Sequence, residues 1–400
     1  MDTVINLGAL NDQQKALLTQ ISYLDINEEG RKKIAEGGIL VSELYPYLEN
    51  ANTLFAGDAG LGEEKTNKLT DKALGKDHYI TKTDVLDSLV QNGLGNLKIT
   101  NISEKKSLVS SGFQALTFKD TFGNTGISYR GSDFDLSQGG IRDWLEADML
   151  EYFTGTSAQR KEALEYFQAN KNEYGNNFLY GHSLGGNLTS HTYLENYDQI
   201  KEAFTINGNP INQKLLDTPE KIEAFNDPKK FNCNVICGDI VGHFKSCELY
   251  KNNVHYIHNN DSMKDNIIAA HLVQSAAYDE NGNFVYASEE EMIEKMGPTA
   301  NILMGFFKNV RERLNELEQR FSKPDKKEEF SKYKDSINQH FNAKFNLFKF
   351  PTINLSDIEI LHKFHLASAK CEQEFISQIT AYLQEFSQVE EEHVIEGVTK

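Results

Sequence analysis

The chain has 400 residues, 39% of them apolar or aromatic, and carries a formal net charge of −18. At roughly 100–200 residues per domain the length predicts two domains, and the acid excess argues against nucleic acid as a partner, because it repels phosphate backbones. No stretch reaches the roughly 20 consecutive apolar residues of a transmembrane segment.

Residues 1–10 show neither a basic n-region nor a long apolar h-region, so no cleaved signal peptide is expected. The expectation is a cytoplasmic protein, or one exported by a signal-peptide-independent route. Residues 11–24 place Leu17, Ile21 and Leu24 on one helical side. Residues 51–96 are polar and glycine-rich. Residues 1–110 therefore read as a helical N-terminal covering that carries no identifiable chemistry.

From residue 111 to residue 295 strand patterns alternate with helical ones, which predicts an α/β sheet. Residues 113–118 and 125–129 flank Gly123-Asn124 as a β-hairpin. A helix is expected over 157–169 and another over 184–197. Strands are expected at 177–180, 203–206, 231–237 and 254–257. From about Gly297 the periodicity is purely helical. Phe307, Val310, Leu314, Leu317 and Phe321 recur at helical steps, as do Phe330, Tyr333, Ile337, Phe341 and Phe345. Pro324 and Pro351 interrupt the runs, and Ser356 with Glu359 forms a capping box that opens a third helix. Residues 296–400 are thus predicted to be a helical bundle or hairpin. Such a domain serves either as a packing appendage or as a docking module for small helical partner proteins.

The strongest motif is Gly181-His182-Ser183-Leu184-Gly185-Gly186, between a predicted strand and a predicted helix. A nucleophile elbow turns so sharply from strand to helix that side chains two positions either side of the serine clash, and glycine is needed there. The expected fold is therefore an α/β-hydrolase with a C-terminal all-α helical domain. A serine needs a base, and the base needs an orienting acid. Asp239 directly follows a strand and is the candidate acid. His271, 32 residues further on, is the preferred base, with His258 as the alternative. His182 is held beside the serine and is expected to point elsewhere. The amide of Leu184 and the turn Tyr129-Arg130-Gly131-Ser132 are the candidate oxyanion hole, Ser132 offering both amide and hydroxyl.

No cofactor or metal is expected. Cys233, Cys237 and Cys247 surround no common zinc spacing, and 233–237 reads as a buried strand. The Asp279 loop imitates a calcium loop but has Phe284 where glycine is required, so Asn281-Gly282 reads as a hairpin turn.

Tyr129-Arg-Gly-Ser132, Ile141-Arg-Asp-Trp144, the Gly181–Gly186 elbow, Asn207-Gly-Asn-Pro210 and Gly238-Asp-Ile-Val241 occur in that order. Together they resemble the class 3 (fungal-type) lipases. The resemblance implies a Ser183–Asp239–His271 triad, oxyanion donors at Ser132 and Leu184, and an amphipathic lid over 141–153. Trp144, Leu145, Asp148 and Met149 are its lid candidates, with Asp148 one residue later than the pattern expects. The domain order is similar to type VII-secreted bacterial lipase toxins, whose helical part is a targeting module. Three functions follow as expectations. The first is a lipase or phospholipase acting on lipid or phospholipid esters. The second is a secreted toxin using the same chemistry. The third is a non-catalytic scaffold.

Overall fold

The computed structural model describes residues 4–49, 51, 81–103, 113–131, 158–209, 211, 215–239, 253–260, 270–288 and 290–292. The chain divides into two compact units, Met1–Gly297 and Pro298–Lys400. The helices expected after Gly297, and the docking role expected for them, lie outside the described residues.

The N-terminal helices α1 (Asp12–Leu18), α2 (Glu28–Gly37) and α3 (Lys82–Leu89) begin at Asn11, Asn27 and Thr81. Each of these three side chains accepts a backbone N–H of its own first turn, which satisfies donors a helix start otherwise leaves orphaned. The Gln14 and Asp84 side chains return the bond, closing capping boxes at α1 and α3.

Among the described residues one nine-stranded sheet forms, with neighbours in chain order. Its strands are β1 (Ile39–Leu40), β2 (Lys98–Ile102), β3 (Ala115–Lys119), β4 (Thr125–Tyr129), β5 (Asn177–His182), β6 (Ile200–Ile206), β7 (Phe231–Ile236), β8 (Val254–Ile257) and β9 (Tyr286–Ala287). The first four pair antiparallel, β4 through β8 pair parallel, and β9 returns antiparallel. Parallel neighbours need a crossover. Helices α4 (Ala158–Asn170), α5 (Leu184–Glu195) and α6 (Pro219–Phe225) provide it after β4, β5 and β6. The carboxyl ends of β4 to β8 therefore share one edge of the sheet, where open α/β sheets place their sites.

Strand periodicity divides the core between two faces. Phe118, Phe178, Tyr180, Phe204 and Ile206 pack with Leu18, Ile21, Tyr23 and Leu86 of the N-terminal region. Ile127, Tyr129, Leu179, Ala203 and Cys233 pack with Phe167, Leu188, Tyr193 and Phe225 of the crossover helices. Each fully buried large side chain contributes roughly 1.5–3 kcal/mol.

The hairpin, the crossover helices and the parallel strands fall where the apolar patterns put them. The N-terminal region differs from its reading as helical covering, because β1 and β2 extend the sheet into it. β1 is two residues long, and the pairing of β2 with β3 shifts register between Ile99 and Asn101. Neither offers the sustained alternation that marks a strand in sequence.

The N-terminal region is also tied to the end of β4 by charge. Asp25 Oδ1 lies 2.9 Å from Arg130 Nη1, and its Oδ2 lies 2.5 Å from Lys82 Nζ, with both cations buried. Burial raises the Asp25 carboxyl, but Arg130 and Lys82 outweigh it and hold it below the ordinary carboxylate value. Asp25→Asn leaves two buried cations facing a neutral amide. It is expected to cost about 3 kcal/mol at pH 7 in urea unfolding. Because the folded-state value is depressed, the wild-type advantage is present above about pH 4 and fades as pH falls below it.

Candidate active site

A single residue makes the turn from β5 into α5. Ser183 has φ 58° and ψ −131°, in the left-handed half of backbone space. Such a conformation costs on the order of 1–3 kcal/mol and persists only where its surroundings enforce it. They do so by close contact. A Cβ on Gly181 would lie 2.1 Å from the Gly185 carbonyl oxygen, and one on Gly185 would lie 2.1 Å from that of Tyr129. The Ser183 carbonyl accepts backbone N–H groups from Gly186 at 2.9 Å and from Asn187 and Asn209 at 3.3 Å. The side chain is buried, and its Oγ has no hydrogen-bond partner among the described residues. A buried hydroxyl without a partner is uncommon and calls for an explanation.

The loop after β7 carries Asp239, turned in by Gly238 at φ 93°. Asp239 is fully buried, and its Oδ1 lies 2.7 Å from His271 Nδ1. That is the length of a charge-assisted bond. With the Nδ1 proton directed at the carboxylate, the basic nitrogen of a neutral ring is Nε2. Of the two histidines the sequence leaves open, the structure brings His271 to Asp239. His258 Nε2 lies 3.7 Å from Glu291 Oε2.

His271 is also held by its backbone. Its carbonyl accepts from His182 Nε2 at 2.8 Å and from Asn207 Nδ2 at 3.0 Å. The His182 and His271 rings have centroids 4.7 Å apart. On its other side His182 Nδ1 meets the Tyr23 hydroxyl at 3.1 Å. Asn207, with φ 48°, also accepts the Ile236 N–H on Oδ1.

Leu184 is the first residue of α5, where amides have no intrahelical partner and the helix dipole favours negative charge. The loop after β4 runs against Ser183. A Cβ on Gly131 would lie 2.8 Å from the His182 carbonyl oxygen and 3.0 Å from Ser183 Cβ. Ser132, the next residue, lies outside the described residues. So do the lid candidates Trp144, Leu145, Asp148 and Met149, and Cys247. Cys233 and Cys237 are buried in β7 and its turn. Among the described residues no group of His, Cys, Asp and Glu is arranged to hold a metal ion.

Sequence reasoning missed Tyr23 and Asn207 as parts of this site. Asn207 stands in Asn207-Gly-Asn-Pro210, which drew attention only through the lipase resemblance. Tyr23 carries no local signal, since 159 positions of chain separate it from its partner His182.

Burial and then the neighbouring His271 push His182 from its ordinary 6.5 down to about 3. Burial, with Arg160 nearby, likewise pushes His191 down to about 4. Between those values and 6.5 the unfolded chain takes up protons that the folded chain refuses, so stability falls as pH falls through this window. Above it both states are neutral and neither histidine contributes. The urea midpoint is expected to be lower at pH 5 than at pH 7.5, and His182→Asn is expected to flatten that slope. An unchanged slope in the variant contradicts the assignment.

No curated protein and no solved structure matches the chain. A family model does: the Mbeg1-like model aligns with residues 91–300, which include Gly131, the elbow, Asp239 and His271. That match covers more than half of the chain. The chain therefore belongs to the Mbeg1-like family, a lipase-like family related to the class 3 lipases.

Proposed function

We propose that this protein is a serine hydrolase that cleaves lipid carboxylic esters through an acyl-serine intermediate. The observation that carries the reading is the 2.7 Å bond between buried Asp239 and His271, whose carbonyl bonds His182, the residue before a serine held at φ 58° between strand and helix. The lipase-like family membership supports it independently.

The steps follow from the donors and acceptors present. Ser183 Oγ adds to the ester carbonyl carbon while His271 Nε2 takes its proton. The carbonyl π electrons move to oxygen, where the Leu184 amide and Ser132 are the proposed donors that stabilise the charge. Collapse re-forms the carbonyl, breaks the bond to the alcohol oxygen, and returns the His271 proton to that leaving group. Water then repeats the sequence on the acyl-serine and regenerates Ser183. Asp239 keeps the Nδ1–H tautomer and stabilises the imidazolium. Ser183 Oγ has no hydrogen bond among the described residues, and contacts of this kind commonly tighten only with substrate bound. The apolar residues Trp144, Leu145 and Met149 favour long acyl chains over small soluble esters.

Activity is best measured on a panel of triacylglycerol, phospholipid and short-chain esters, beside fluorophosphonate labelling. Ser183→Ala is expected to abolish turnover and labelling while leaving the unfolding midpoint close to wild type. Asp239→Asn is expected to lower kcat by about 10²–10⁴-fold. Turnover that persists in Ser183→Ala ends the proposal, and a wild type that neither labels nor hydrolyses returns the fold to the role of a scaffold.

A further inference from the structure

The N-terminal face of the sheet meets the site at one point. Residues alternate along β5, so Phe178, Tyr180 and His182 share a face while Gly181 turns toward α5. His182 therefore points at the N-terminal region, where the 3-10 turn Ile21–Tyr23 packs. There the Tyr23 hydroxyl lies 3.1 Å from His182 Nδ1 and accepts the Gly131 N–H at 3.0 Å. The Arg130 guanidinium sits over the Tyr23 ring, 5.4 Å from its centroid.

The proton directions in this chain have one solution. The His271 carbonyl only accepts, so His182 Nε2 carries the hydrogen. His182 Nδ1 is then a lone pair and accepts from the Tyr23 O–H. The Tyr23 oxygen is left to receive the Gly131 N–H. Tyr23, His182 and His271 are all buried, so no bond here is readily replaced by water. The run Gly131–Tyr23–His182–His271 thus joins the residue before Ser132 to the backbone of the base.

We propose that Tyr23 is a positioning residue which, through His182, locks the loop after β4 and the backbone of His271 into one hydrogen-bonded unit around Ser183. The inference rests on the serine-hydrolase reading above and extends it to a residue outside the stretch that the family model matches. Removing the hydroxyl strands two buried groups at once, the Gly131 amide and His182 Nδ1. Both lie within a residue of groups that must be placed to a fraction of an ångström.

The test uses the full chain with Tyr23→Phe, His182→Gln, His182→Ala and the double variant Tyr23→Phe/His182→Gln. Tyr23→Phe is expected to lower kcat about 10- to 100-fold with KM within about 2-fold. His182→Gln, whose amide still reaches the His271 carbonyl, is expected to retain more activity than His182→Ala. The double variant is expected to be little worse than the poorer single one, since both break the same chain. Nitrogen-15 NMR is expected to place His182 in the Nε2–H tautomer, a readout that needs no turnover. Should Tyr23→Phe fail to fold, His182→Gln interrogates the same link from its other side. An unchanged kcat, fully additive losses, an effect confined to KM, or an Nδ1–H tautomer each overturns the proposal. A wild type that labels with fluorophosphonate while Tyr23→Phe keeps full activity sinks this inference alone. A wild type that neither labels nor hydrolyses removes the hydrolase reading beneath it as well.

Discussion

The bend at Ser183 is the constraint around which the site is organised. A strand and a helix meet with one residue between them, and that residue adopts φ 58°. Backbone so placed relaxes unless its neighbours leave it no room. The room is removed from three directions. Gly181 and Gly185 approach to a separation at which either Cβ would overlap the next carbonyl. Gly131 closes on the Ser183 side chain from β4. The amides of Gly186, Asn187 and Asn209 hold the Ser183 carbonyl. The glycines of the motif are thus a packing requirement of two strands and a helix meeting at one point.

The same geometry explains why the N-terminal region belongs to the same compact unit as the sheet. A sheet wound with its crossover helices on one face leaves the other face apolar, and Phe118, Phe178, Tyr180 and Phe204 need cover. The N-terminal helices supply it, and Met1–Gly297 forms one compact unit. Because the cover reaches the carboxyl ends of β4 and β5, it delivers polar groups there too. Asp25 meets Arg130, Ser128 Oγ donates to Ser22 Oγ at 3.1 Å, and Tyr23 meets His182. Arg130, Ser128 and His182 are the residues whose parity turns them away from the crossover helices. Burying them would be costly without those partners.

How much of this was legible in the sequence follows from the range over which each signal acts. The elbow was legible because sterics confine it to a few consecutive residues. The parallel strands β5, β6, β7 and β8 were legible because each is a short apolar run between turn residues. Asp239 was legible because a carboxylate directly after a strand is a local feature. His271 was preferred over His258 by its position beyond the last core strand, and the side chain of His258 is turned to Glu291. β1 and β2 were not legible, being too short or too irregular to show period two. Tyr23 was not legible at all. Its partner is determined by which face His182 takes and by what covers that face, and neither is written within a window of sequence.

His271 is placed by the ladder itself. His271 is gripped at its ring by Asp239, which follows β7, and at its carbonyl by Asn207, which follows β6, and by His182, which ends β5. Three successive strands each contribute one group, and their registers set where those groups stand: His182 opposite Ile206, and Ile206 opposite Asn234. A slip of one residue in any of these pairings exchanges the faces of every side chain on that strand. His182 would then leave Tyr23 for the side of α5, where the close approach of Gly181 to Gly185 leaves no space for a ring. The apolar alternation that buries Phe178 and Tyr180 on one face and Leu179 on the other forbids that slip. Burial of ordinary core residues therefore fixes the position of His271 relative to the β5–α5 turn, and the polar contacts refine a geometry that hydrophobic packing has already selected.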